Sequence, residues 1–112
     1  MDVTSLATAA PFTTKDGSTI RELHHTEVQS LAEATLEPGR TTQRHYHRAS
    51  EEIYFVLDGE GELEIDGERR QVRAGDAALI RAGAWHEIVA TSPLRFLCCC
   101  APPYSHDDTF FE

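Results

Sequence analysis

Long apolar runs are absent from this 112-residue chain. No stretch approaches the roughly 20 apolar residues that a membrane-spanning helix requires, so a soluble protein with no membrane partner is expected. Basic residues are scarce: ten Lys and Arg stand against nineteen Asp and Glu, a net charge of −9. That balance provides no basic face for a phosphate backbone and argues against a nucleic-acid partner. Cysteine is confined to the contiguous Cys98, Cys99 and Cys100, which form neither a spaced disulfide framework nor a C-x-x-C metal or redox motif. The G-x-S-x-G elbow and both kinds of glycine-rich phosphate cradle are missing, and no spacing gives a cysteine nucleophile an activating base. Met1 to Pro11 holds no long apolar stretch and the first basic residue is Lys15. A secretory signal is therefore not expected, although Ala7-Thr8-Ala9 is superficially similar to a cleavage site. The expected location is the cytoplasm. There the three thiols serve as small packing residues, unless one reaches a cavity; alternation places Cys98 and Cys100 on one strand face and Cys99 on the other.

What is present suits one small globular domain. Hydrophobic residues at 40% and charged residues at 26% support a single packed core, and the length leaves no room for a second module. From Ile53 onward, short apolar segments alternate with glycine turns, and no apolar period near 3.6 persists, which is the pattern of an all-β fold. Asp58-Gly59-Glu60-Gly61 separates a strand over Ile53–Leu57 from one over Glu62–Ile65, and Asp66-Gly67 leads on to Arg69–Arg73, giving two consecutive hairpins. Further strands are predicted over Ala77–Ile80, Trp85–Ala90 and Leu94–Cys100, with Leu31–Leu36 and an extended Thr41–His47 upstream. Ile53, Phe55 and Leu57 occupy one face of their strand, and Tyr54 and Val56 the other. A wall that is apolar on both sides needs an outer cover, which a homodimer partner or the N-terminal segment is expected to supply. Residues 1–20 carry little pattern and read as an N-terminal arm, with residues 21–112 forming the β domain and its C-terminal tail.

His45-Tyr46-His47 holds two histidines at i and i+2, which on a strand point the same way and can reach one metal ion. Exposed H-x-H pairs also occur without metal, so the surrounding spacing matters. Gly39 to Gly59 reads G-x5-H-x-H-x4-E-x6-G through Gly39, His45, His47, Glu52 and Gly59, and Gly75 to His86 reads G-x7-G-x2-H through Gly75, Gly83 and His86.

At these residues the sequence resembles the cupin superfamily, in its small single-domain form (monocupin, cupin type-2). The resemblance implies a double-stranded β-helix, or jelly roll, with a metal ion held inside the barrel by His45, His47, Glu52 and His86. Glu51 competes with Glu52, because the family tolerates three or four residues in that gap; the six residues to Gly59 favour Glu52. Arg81 and Ala90 stand where the second motif usually has Pro and Asn. Neither position is a metal ligand in the family.

Three imidazoles and one carboxylate suit one divalent transition metal ion: Fe, Mn, Ni, Co or Zn. One carboxylate against a dication leaves a charge of +1, and an octahedral ion would keep two positions for water, O2 or a bidentate ligand. The expected function is a metal-dependent enzyme acting on a small oxygen-rich organic anion. O2-dependent oxidation ranks ahead of isomerisation, decarboxylation or elimination, and a non-catalytic small-molecule-binding cupin is the alternative. Thr41 and Gln43 share parity with the two histidines, so Gln43 is expected to face the cavity as a substrate contact or as polar lining. Tyr54 shares parity with Glu52 and is a candidate substrate-binding hydroxyl. Trp85 reads as packing. Arg44, Arg48 and Arg81 would suit a carboxylate but equally a solvated surface. His24 and His25 face opposite ways and offer no ligand pairing. His106-Asp107-Asp108 could form a second metal site at the barrel mouth or a tail folded back by hydrogen bonds.

Overall fold

The computed structural model describes all 112 residues. The chain forms eleven strands: β1 (Phe12–Thr13), β2 (Thr19–His25), β3 (Ser30–Leu36), β4 (His45–His47), β5 (Glu51–Asp58), β6 (Glu60–Ile65), β7 (Glu68–Arg73), β8 (Ala77–Ile80), β9 (His86–Ala90), β10 (Leu94–Ala101) and β11 (Thr109–Phe111). A single 3-10 turn, His106–Asp108, precedes the last strand. No helix is long and apolar enough to cross a membrane. Two antiparallel sheets, ordered β1-β2-β3-β10-β5-β8 and β11-β4-β9-β6-β7, face each other as the double-stranded β-helix expected from the motifs.

Turn chemistry sets the local course of the chain. Asp66 (φ 48°) and Gly67 (φ 89°) both adopt left-handed backbone, as a tight two-residue hairpin requires, and they fix the β6–β7 register from Glu60↔Arg73 to Ile65↔Glu68. Strand alternation then sorts the side chains. On β5, Glu52, Tyr54 and Val56 turn inward, while Ile53 and Phe55 turn outward. The inner residues of the two sheets, led by Phe96, Ile80, Ile88 and Leu94, form one core at one end of the barrel. Burying a side chain of this size stabilises the fold by about 1.5–3 kcal/mol.

Four features differ from the sequence expectation. Asp58–Gly61 does not close a hairpin: β5 pairs with β8 and β10 in the first sheet and β6 with β7 and β9 in the second, so the chain crosses between the sheets there. Thr41–His47 is not a continuous strand: only His45–His47 pairs as one, with an isolated bridge between Thr41 and Val89. The cause is Thr42, whose buried hydroxyl accepts the Ile88 N–H at 3.0 Å, while its own N–H donates to the Ile88 carbonyl at 3.0 Å. This pins the chain and breaks the alternation. The division at residue 20 cuts through a hairpin, because β1 pairs with β2 and β2 with β3 along its length. Residues 12–20 therefore extend the first sheet. The tail closes the second sheet through β11, which pairs with β4 from Thr109↔His47 to Phe111↔His45.

Candidate metal centre

Strand pairing brings the motif histidines together. His45 on β4 lies directly opposite His86 on β9, their ring centroids 4.2 Å apart, and His47 projects to the same side two residues on. One ligating nitrogen from each of the three imidazoles can be chosen so that all lie within 4.8 Å of one another. Glu52 enters from β5 in the opposite sheet. Its Oε1 lies 3.4 Å from His47 Nε2 and 3.5 Å from His86 Nε2. Glu52 is buried and Glu51 is exposed, so of the two adjacent carboxylates only Glu52 reaches the cluster.

The far side of each imidazole is already engaged. His45 Nδ1 lies 2.7 Å from the Gln43 carbonyl and His86 Nδ1 lies 2.9 Å from the Ala84 carbonyl. A carbonyl can only accept, so both Nδ1 atoms carry the proton and both Nε2 atoms present a lone pair. His47 Nδ1 lies 3.2 Å from Thr109 Oγ1, whose own proton goes to the Ser105 carbonyl at 2.8 Å; the same tautomer follows. Glu52 is held likewise, its Oε2 accepting the Cys100 thiol at 3.2 Å. What remains is Glu52 Oε1 and His86 Nε2, both fully buried without a hydrogen-bond partner. Each such group costs about 1–3 kcal/mol if left unmet. A cation between these atoms would satisfy both, so the donor set fits a divalent metal ion.

The electrostatics differ from one side chain of the cluster to the next. Burial, reinforced by the neighbouring His86, pulls His45 down to about 4 and keeps it neutral. Burial also opposes protonation of His47, but the adjacent Glu52 carboxylate outweighs it and raises this imidazole above its ordinary value. Burial alone would raise Glu52; the close approach of the His47 and His86 imidazoles overcomes it and holds the carboxyl well below the usual carboxylate range.

Beside the cluster opens a cavity of about 60 Å³, bordered by His45, His47, Glu52 and Tyr54. This is room for a small ligand only. Tyr54 lies in the wall as expected, its hydroxyl held protonated far above neutral pH by burial and by the Glu52 charge. Gln43 does not: its side chain is exposed, and only its backbone serves the site. The parity argument fails at Gln43 because the chain is irregular between Thr41 and Arg44. Two thiols, Cys98 and Cys100, border the cavity, and Cys99 does not. Burial and then the Glu52 charge push both thiols up, leaving them protonated.

No arginine reaches the cavity. Arg44 is paired with Glu64 at 2.6 Å and lies over Trp85, Arg48 lies over the Phe110 ring, and Arg81 is exposed. His24 and His25 lie on β2 away from the cluster. Asp108 accepts the N–H groups of Arg48, Ala49 and Ser50 at 3.0–3.1 Å, so the tail folds back by hydrogen bonds and braces the loop between His47 and Glu52. Two residues of the site escaped the motif reading, Thr109 behind His47 and Asp16 at the cavity edge. Neither stands at a diagnostic spacing; pairing of β11 with β4 brings in the first, and the β1–β2 hairpin the second.

Residues 32–100, which include all four converging side chains, match the family model described as a cupin domain. The chain belongs to the cupin family. An uncharacterized protein of Methanocaldococcus jannaschii is 46% identical to this cupin over 106 residues, covering 88% of the chain and 85% of the relative. An oxalate-binding protein of Thermotoga maritima is 33% identical over 79 residues, covering 69% of this cupin and 65% of the relative. The solved structure of KdgF from Halomonas sp. matches with a TM-score of 0.86 at 21% identity, covering 96% of this cupin and 97% of that chain. A likeness at that identity speaks for the fold alone.

Proposed function

We propose that this cupin is a mononuclear metalloenzyme whose His45, His47, Glu52 and His86 hold one divalent transition metal ion, and whose substrate is a small oxygen-rich organic anion. The observation that carries the reading is the pair of orphaned buried atoms, Glu52 Oε1 and His86 Nε2, facing the lone pairs of two further imidazoles. The bound ion would supply Lewis acidity to chelating substrate oxygens. The chain supplies the rest. Tyr54, protonated and in the wall, donates a hydrogen bond or a proton to a substrate oxygen. Aliphatic and aromatic neighbours such as Ala34 and Phe96 limit water around the ligand.

The thiols bear on the reaction class. Cys98 and Cys100 border the same cavity, and burial holds both as neutral thiols, so neither serves as a base or a nucleophile. The cavity has room for a small ligand and little beside it, so isomerisation, elimination or decarboxylation of a hydroxy or keto acid is placed ahead of the O2-dependent oxidation that the sequence ranked first. The test is elemental analysis of protein purified without chelators or a metal-binding tag, with an oxygen electrode run on the same sample. About one equivalent of metal, lost in His45→Ala, His47→Ala, is expected, with substrate turned over and no oxygen uptake. No metal bound, and none taken up on reconstitution, would overturn the metalloenzyme reading. Oxygen consumption coupled to substrate loss would restore oxidation to first place.

A further inference from the structure

Asp16 sits at the tip of the β1–β2 hairpin, outside the span of both histidine motifs. Its Oδ1 accepts three hydrogen bonds, from Thr14 Oγ1 at 2.5 Å, the Ser18 N–H at 2.9 Å and Ser18 Oγ at 2.6 Å. Its carbonyl accepts the Gln43 N–H at 2.8 Å, which ties the tip to the segment entering His45. Gly17, at φ 94°, closes the turn. The carboxylate is thus fixed in place through Oδ1 at the cavity edge, and Oδ2 makes no hydrogen bond or ion pair within the chain. Its charge acts on His45, Tyr54, Cys98 and Tyr104 around that space.

The charge balance of the cavity is unusual for a site taking anions. A dication with Glu52 leaves +1, and no Lys or Arg borders the space. One negative charge on the ligand is balanced by the centre itself. A second would face Asp16 and Glu22, the other carboxylates bordering the space, with nothing to offset it. A carboxylate oxygen recognises donors, and the donor common to oxygen-rich acids is a hydroxyl group. We propose that Asp16 is the specificity residue of this site, accepting a hydrogen bond from a substrate hydroxyl beyond the chelating oxygens and so selecting hydroxylated monocarboxylates over dicarboxylates. The assignment rests on the metal-centre reading above.

The experiment uses the full chain loaded with Co(II), its metal content measured before and after titration, with ligand binding followed by the visible absorption of the cobalt. Glycerate and lactate present the same 2-hydroxy acid chelate and differ by one terminal hydroxyl. Glycerate is expected to bind at least about tenfold tighter, the scale of one hydrogen bond to a charged acceptor. Asp16→Asn keeps an oxygen for Thr14 and Ser18 but replaces the free acceptor with a donor. It should abolish the glycerate preference, tighten oxalate about tenfold and leave lactate unchanged, the last showing an intact site. Equal binding of glycerate and lactate to the wild-type chain, or a preference that survives in Asp16→Asn, overturns the assignment of Asp16 alone. Failure to bind cobalt overturns the metal reading and this proposal with it.

Discussion

At the scale of single residues, the site is built by giving each polar atom one task. The Nδ1 atoms of His45, His47 and His86 are committed to Gln43, Thr109 and Ala84, and Glu52 Oε2 to Cys100, so the remaining atoms can only face inward. This arrangement has a measurable cost in metal-free protein. His45 is held neutral down to about 4, against about 6.5 in the unfolded chain, so between those values the unfolded state binds more protons. The stability contribution is complete above about pH 6.5 and is lost as pH falls toward 4, by up to about 3 kcal/mol. Glu52, depressed, adds loss on the acid side below its unfolded value; His47, raised, contributes below about pH 6.5 and loses its contribution as pH rises through its folded value. Urea melts of metal-free wild type and His45→Gln at pH 7 and pH 5 separate the first of these. The wild type should lose stability relative to the variant on acidification, and parallel pH profiles would contradict the neutral burial of His45.

At the scale of elements, motif glycines hold the strands at distances that the sheets require. Gly59, between β5 and β6, has a φ of 84°, and a Cβ there would collide with the Pro93 carbonyl at the start of β10. Gly67, at φ 89° in the next hairpin, has open space around its missing Cβ. Gly59→Ala combines left-handed strain with a backbone collision and should cost about 2–4 kcal/mol, against about 1–2 kcal/mol for Gly67→Ala. Chemical denaturation of the two variants checks the ranking. The β6–β7 hairpin was legible because Asp66-Gly67 has one dominant conformational meaning, and Ala77–Ile80 appears as read, whereas the turn at Asp58–Gly61 carries the chain from one sheet to the other instead of closing a hairpin. The segment before His45 was not, because a side-chain hydrogen bond from Thr42 competes with strand geometry and leaves no trace in hydrophobic alternation. Nor were β1, β2 and β11, which are short or patternless and gain their structure from edge pairing.

At the scale of the whole molecule, the first sheet keeps an apolar outer face. Ile53 (43% exposed) pairs across strands with Leu79 (43%), and Phe55 (38%) stands beside them, with Leu97 and Cys99 opposite on β10. The chain's own N-terminal segment leaves these side chains uncovered. A second copy is the expected cover, as the two-sided apolar pattern of β5 suggested. Light scattering coupled to size exclusion should give twice the 12.5 kDa chain mass, and Phe55→Asp should return it to the single-chain value. A monomeric wild type would remove the dimer from the account.

The sequence by itself determined the β architecture and the β6–β7 hairpin, because glycine turns and strand alternation are local rules that hold wherever the chain goes; the four side chains that converge followed from the resemblance of its motifs to the cupin pattern. The choice of Glu52 over Glu51 was weighted by spacing and settled by which carboxylate points inward. Only the tertiary structure decided what else surrounds that set: Thr109 behind His47, the two thiols along the wall, Asp16 at the edge, and every arginine kept outside. Those placements depend on pairing between strands far apart in the chain. The chemistry available to a ligand is set by groups whose proximity no spacing along a single strand encodes.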